Sequence, residues 1–227
     1  MIKVENVEVY GLEHAIRAMR NPMNSWDKSD SMGCSEKLCN DCRFEIGEEC
    51  CGLSGLTDCV VGENDLALMQ RLYKAGVEHR TYARMIYVWM DITAPLYWWK
   101  EMDRYGVGKS QVSTSTMHKI HAKEFTLDDF SVEHLGQDVI EDPFNRIIEC
   151  LNFFRSLYIE HKCKSDWWQM IQLLPTSYNQ KRTVCMSYEV VFKIIKERTG
   201  HKLDEWNQFV EILKDLPYVE EMIGETE

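Results

Sequence analysis

The last third of the chain constrains the fold most. Apolar residues recur there with the spacing of one helix face in four consecutive stretches, 143–161, 164–174, 187–198 and 202–216, the last closing before Pro217. A chain with that pattern is built largely from helices. Residues 64–75 predict another, with Asn64 as its cap and Asp65 in its first turn. Leu66, Leu68, Met69, Leu72 and Tyr73 fall on one face, and Gly76 ends it. Residues 12–19 predict one or two more amphipathic turns. Strand signals are fewer. Ile2, Val4, Val7 and Val9 alternate with polar residues apart from one slip, and 82–92 is rich in Tyr, Ile, Val and Trp. Met and Ala in that second stretch leave a helix open. Pro95 suits the first turn of a helix over 96–104, which Gly106 and Gly108 break. Residues 21–30 read as turn, and 126–142 as acidic loop and short helix. The sum is α+β, a helix-rich domain with a small central sheet.

The chain has 227 residues, 44% of them apolar, enough for one domain carrying an insertion. Its 37 acidic residues outweigh 26 basic ones, for a net charge of −11. That balance argues against a nucleic acid polymer as partner, because phosphate backbones demand many Lys and Arg contacts. A mononucleotide needs only a few local cations. The most apolar stretch, 82–99, holds Arg84 and Asp91 and is interrupted by Pro95, so no membrane span is predicted. The opening MIKVENVEVYGLEH carries acids where a signal peptide carries bases. The expectation is a cytoplasmic protein, whose cysteines are thiols or metal ligands before they are disulfides.

Six of the nine cysteines fall between residues 31 and 60, in the order Cys34-x4-Cys39-x2-Cys42-x7-Cys50-Cys51-x7-Cys59. This window has few aliphatic residues and reads as an insertion within a single domain spanning 1–227. Thiolates suit tetrahedral zinc, and Cys39 and Cys42 form the one C-x2-C pair. Cys34, Cys39, Cys42, Cys50 and Cys59 are the candidate ligands. The C-x4-C-x2-C spacing also occurs in iron–sulfur proteins, and a loop of free thiols is the plain alternative.

Four further segments can carry chemistry. Glu78-His79 follows the predicted helix end, where a histidine can contact a cofactor ring or simply satisfy a carbonyl. The run APLYWWKEMDRYG over 94–106 leads into Ser110, Ser113, Thr114, Ser115 and Thr116. Amides and hydroxyls in such a loop can hold a phosphate, with Arg104 or Lys109 supplying charge; a polar surface loop is the alternative. Residues 174–183 (LPTSYNQKRT) hold two adjacent cations, and 197–206 (ERTGHKLDEW) join two helices.

Taken in order, these pieces resemble the flavin-dependent thymidylate synthases. That family has Arg-rich N-terminal residues, a helix ending in Glu-His, an Ala-Pro-led helix with Arg-Gln, and the signature R-H-R-x7-S. A Leu-Pro segment with Tyr and Arg follows, then a Leu-Arg pair before the last helix. Residues 16–20 (IRAMR), 72–79 (LYKAGVEH), 94–104, Arg104 through Thr114, 174–182 and Glu197-Arg198 are similar to these in turn. The signature's His is Tyr105 here, its second Arg is Gly106, its Ser is Thr114, and the preceding Gln is Glu101. The resemblance implies a homotetramer with FAD between subunits. Its activity is transfer of a one-carbon unit from methylenetetrahydrofolate to dUMP, with hydride from flavin that NADPH reduces. By matched position, His79, Arg104, Tyr105 and Arg198 contact flavin. Glu101, Ser113, Thr114, Ser115 and Arg182 contact nucleotide, and Arg104, Glu101 and Thr114 are the catalytic set. Two other outcomes fit the altered signature: the same fold acting on another uridine-type nucleotide, or an inactive, metal-stabilised binding or regulatory protein.

Overall fold

A computed structural model of the chain describes residues 2–33 and 59–224. The elements in order are β1 (Lys3–Tyr10), α1 (Leu12–Arg20), β2 (Met32–Gly33), β3 (Cys59–Val60), α2 (Glu63–Ala75), β4 (Tyr87–Pro95), α3 (Leu96–Met102) and β5 (Lys109–Ser113). Next come α4 (Gln137–Val139), which runs through a π turn (Ile140–Phe144) into α5 (Asn145–His161), and α6 (Lys164–Leu173). β6 (Asn179–Ser187), α7 (Tyr188–Arg198), α8 (Asp204–Lys214) and α9 (Val219–Ile223) complete the chain. Four strands pair in the order β1-β4-β6-β5, and β2 pairs with β3. The helix-rich α+β architecture with a small sheet is borne out. No helix among the described residues is long and apolar enough to cross a membrane.

Several elements depart from their sequence signals for identifiable reasons. The slip in β1 falls at Asn6, whose φ of 52° is left-handed and shifts the alternation that Val7 and Val9 then resume. In β4, Val88, Met90, Ile92 and Ala94 are buried while Tyr87 and Trp89 are exposed, the two-residue period of a strand. Pro95 ends that strand and stands as the N-cap of α3 rather than inside its first turn. Residues 109–113 form a strand, not a loop. β5 lies at the end of the strand order, where polar residues are tolerated because one side of the strand faces no partner. β6 had only the polar segment 174–183 as its signal. Asn64 does not cap α2. Asp30 does, accepting from the Asn64 and Asp65 amides at 2.9 and 3.2 Å. Gly76 ends the helix at φ 110°, as its position predicts.

The chain forms two compact units. One comprises Met1–Lys3, Ile92–Arg104 and Gln111–Thr183. Its core is Ile120, Phe125, Phe130, Phe144, Ile148, Leu151 and Met170, flanked by Tyr178 and Trp167. Phe130 meets Phe144 and Tyr178 edge-on, at 5.3 and 5.7 Å between ring centres. α5 packs on α6.

The other unit comprises Val4–Asp91, Tyr105–Ser110 and Val184–Glu227. α7 packs on α8, and α9 on α2. Tyr188, Phe192, Trp206 and Phe209 are almost wholly buried. Gly108 is sterically required. Its φ is 79°, and a Cβ there would stand 3.0 Å from the Ser187 hydroxyl and 3.1 Å from Val190. β2 and β3 are antiparallel, with Gly33 beside Cys59, so the residues bracketing most of the cysteine window lie side by side. Cys34, Cys39, Cys42 and Cys50 lie outside the described residues. Cys59 is buried on β3.

Within this second unit Asp65 is fully buried and accepts five hydrogen bonds. Arg20 Nε donates to Oδ1 at 2.6 Å. The Ser29 and Ser31 hydroxyls and the Asp30 and Ser31 amides donate to Oδ2 at 2.7–3.1 Å. Burial alone would raise this carboxyl. The hydrogen bonds from Ser31, Ser29, Arg20 and Asp30 outweigh it and hold the pKa below its ordinary 3.8. Removing one partner of a buried pair strands the other charge. Asp65→Ala should cost about 3–5 kcal/mol of stability by chemical denaturation. A group with a lowered native pKa stabilises the fold above its unfolded pKa. The Asp65 contribution is therefore full above about pH 4 and is lost as pH falls through the native value. An Asp65→Ala variant as stable as the parent at pH 7 would overturn this.

Candidate functional site

The matched residues divide between the units. Glu101, Arg104, Ser113, Thr114, Ser115 and Arg182 belong to the first, and His79, Tyr105 and Arg198 to the second. Each group is organised around an arginine stacked on a tryptophan.

In the first unit β6 carries Arg182 and α3 carries Trp99. The guanidinium lies over the Trp99 ring at 4.2 Å. Arg182 Nη1 donates to Asp103 at 2.7 Å and Nε donates to the Gln180 side-chain carbonyl at 2.9 Å. Gln180 in turn donates to the Thr114 carbonyl at 2.7 Å, and the Thr114 amide donates to the Lys181 carbonyl at 2.9 Å. Trp99 Nε1 donates to the Gln180 carbonyl, and Gln111 donates to Asp103. The structure thus ties Arg182 to the backbone of Thr114. Arg182 Nη2 makes no hydrogen bond among the described residues, so one edge of the guanidinium stays open. Ser113, Thr114 and Ser115 are exposed just past or at the end of β5. The Ser115 hydroxyl accepts from the Met117 and His118 amides at 3.3 and 2.8 Å, which folds residues 115–118 into a turn. Arg104 is exposed and has no ion pair among the described residues. Glu101 is half-buried on α3.

In the second unit Tyr105 is 4% exposed. Its hydroxyl donates to Glu197 at 2.9 Å and accepts from Arg198 Nε at 2.9 Å. The Arg198 guanidinium stacks over Trp206 at 4.5 Å, with Nη1 3.0 Å from His201 Nε2. The Leu203 amide donates to His201 Nδ1, and Asn207 donates to the His201 carbonyl, which fixes the turn between α7 and α8. Burial raises the Tyr105 phenol pKa; the bond from Arg198 lowers it, and that to Glu197 raises it. Glu78 and His79 are exposed in the turn after α2. The next residue, Arg80, holds Glu189 with two hydrogen bonds of 2.8 and 3.1 Å and stacks over Tyr73 at 4.7 Å, which anchors that turn.

Sequence reasoning marked the segments that hold Trp99, Asp103 and Gln180 and those that hold Glu197, His201 and Trp206, but gave these residues no individual role around Arg182 and Arg198. A signal existed: Trp99 and Asp103, like Glu197 and His201, are four apart at helix ends, where i and i+4 side chains meet. Gly106, at the signature's second Arg, has open space where a Cβ would stand, so packing does not force the missing side chain. Among the described residues no group of three His, Cys, Asp or Glu side chains could hold a metal ion.

No family model and no curated protein matches the sequence. Solved structures do. Flavin-dependent thymidylate synthase ThyX from Helicobacter pylori, complexed with FAD and dUMP, matches with a TM-score of 0.62 at 16% identity. A second structure of that enzyme with FAD and dUMP matches with a TM-score of 0.62 at 17% identity. Both alignments cover 98% of this chain and 96% of the other. The chain has the flavin-dependent thymidylate synthase fold. The thymidylate synthase fold therefore spans nearly the whole chain.

The Tyr105 hydroxyl sits between a carboxylate and a guanidinium, so Tyr105→Phe should lower stability by about 1–3 kcal/mol in urea denaturation, with an unchanged slope. An unaltered midpoint would contradict the network.

Proposed function

We propose that the protein is a thymidylate synthase-type enzyme that transfers a one-carbon unit to dUMP or a related pyrimidine nucleotide. The observation that carries this reading is the fold match over 98% of the chain to an enzyme solved with FAD and dUMP. Methylenetetrahydrofolate is the one-carbon donor in this proposal and NADPH the reductant. FAD, when bound, supplies the hydride.

The nucleotide set fits this assignment well. Arg104 offers a cation with no ion pair among the described residues, and Ser113 and Thr114 are exposed and offer hydroxyls to a phosphate. Arg182, oriented by Trp99, Asp103 and Gln180, presents its open Nη2 edge. In this reading Glu101 accepts a hydrogen bond from the pyrimidine. The flavin set fits in part. His79 is exposed on an anchored turn, whereas Tyr105 and Arg198 already hold one another. That internal network is the observation that favours the second reading, a fold acting on a different uridine-type nucleotide or serving as a binding or regulatory protein.

The proposal extends to one thymidylate-synthase-like domain over 1–227 with the 31–60 insertion, structural zinc at Cys34, Cys39, Cys42, Cys50 and Cys59, a cytoplasmic location, and a homotetramer. Large apolar side chains are exposed in both units, Phe153 and Trp168 in the first and Tyr87 and Trp89 in the second, and self-association would bury such side chains.

The purified protein should show flavin's visible absorbance and contain zinc by elemental analysis; a colourless chain that binds no added FAD would overturn the flavin reading, and a metal-free chain the zinc reading. Arg104→Ala should weaken dUMP binding about tenfold or more in calorimetry with FAD present, and unchanged affinity would remove Arg104 from the site. In sedimentation at micromolar concentration with FAD, the proposal predicts tetramers; a strict monomer would contradict it.

A further inference from the structure

The second unit contains a cleft of about 440 Å³ in which positive charge is concentrated against the overall charge of −11. α2 supplies one wall. Asn64, Ala67, Leu68 and Arg71 follow the i, i+3, i+4, i+7 spacing of a single helix face. The end of α1 and the two short turns after it supply the other, with Arg20, Met23 and Lys28. Three cations line the space, and among the described residues no carboxylate does. Arg20 is held by Asp65 through Nε and by the Ser25 carbonyl through Nη1, while its Nη2 has no partner among the described residues. Among the described residues the only hydrogen bond from the Arg71 side chain goes to the Met23 sulfur at 3.7 Å, a weak acceptor. The Lys28 ammonium is exposed and has no partner among the described residues. Asp65 neutralises Arg20 from behind, so Lys28 and Arg71 carry the net charge that faces the cleft.

We infer that this cleft binds a phosphorylated small molecule, its phosphates between Arg71, Lys28 and the Arg20 Nη2 edge and its organic part against Ala67, Leu68 and Met23. Two features favour an organic phosphate over a bare anion. The volume lies within the range of pockets that enclose whole small ligands. The apolar wall would contribute nothing to an inorganic ion. Lys28 and Arg71, which carry the cleft's net charge, lie outside the matched motifs' nucleotide and flavin sets, so this inference stands apart from the proposed reaction.

The test uses the full chain at low ionic strength with excess FAD present, so that the proposed flavin site is not open to the probe, titrated calorimetrically with pyrophosphate and separately with ADP, and compared with a Lys28→Ala/Arg71→Ala variant. Both substituted residues are exposed, and Arg20 is left in place because it holds Asp65. Circular dichroism confirms that the variant is folded. The inference predicts that ADP binds the parent more tightly than pyrophosphate does. It predicts that the double variant loses at least about tenfold in ADP affinity while its dUMP affinity is unchanged. ADP affinity that survives the double substitution would overturn it, as would absence of ADP binding at millimolar concentration. Pyrophosphate binding as tightly as ADP would overturn the organic part of the assignment.

Discussion

Asp65 is a carboxylate without solvent contact, and much of the second unit is arranged to keep it ionised. Asp65 stands on α2, and its partners come from two other places in the sequence: Arg20 at the end of α1 and the segment Ser29–Asp30–Ser31 before β2. A buried charge without these donors would cost several kcal/mol. Satisfying them draws α1, the turn segment and α2 together. Asp30 reinforces the arrangement by capping α2 with its own side chain. The same pair also sets Arg20 at the edge of the cationic cleft, because an arginine neutralised from behind can be buried while one nitrogen faces outward.

The two sites repeat one device. Arg182 on Trp99 and Arg198 on Trp206 are guanidiniums held flat against an indole and steered by hydrogen bonds. Stacking removes side-chain freedom before any ligand arrives, so less entropy is lost on binding. The difference lies in the partners. Arg182 is oriented by Asp103 and Gln180 with one edge open. Arg198 is tied to Tyr105, whose phenol also engages Glu197. The first arrangement resembles a prepared anion contact, and the second a network that closes the join between α7 and α8. The substitution of Tyr105 for the signature's histidine therefore has a structural consequence in this chain.

The helices were legible because their apolar spacing is a local property. α7 and α8 each bury the face that their periodicity marks, and Gly76 stops α2 where its position predicts. Elements that depend on distant partners were not. β5 and the first half of β6 are polar, and they are strands because they pair with each other across some seventy residues of sequence, a pairing that the Thr114 amide extends by donating to the Lys181 carbonyl. The α2 cap is Asp30, thirty-four residues from Asn64, which no local pattern could single out. At the candidate site, Arg104, Arg182, Tyr105 and Arg198 could be named from the order of motifs, but not their condition. Whether an arginine is open or already engaged is decided by Asp103, Gln180 and Glu197, whose roles exist only in the folded chain.

The account rests on the nucleotide and the flavin meeting this fold through the residues matched to the signature. A crystal structure of the protein grown with FAD and dUMP tests that most directly. The account predicts the nucleotide phosphate against the Arg104 guanidinium and the Ser113–Thr114 hydroxyls, with Arg182 Nη2 turned toward the nucleotide. A nucleotide seated elsewhere, with Arg104 and Arg182 both left in solvent contact, would contradict it.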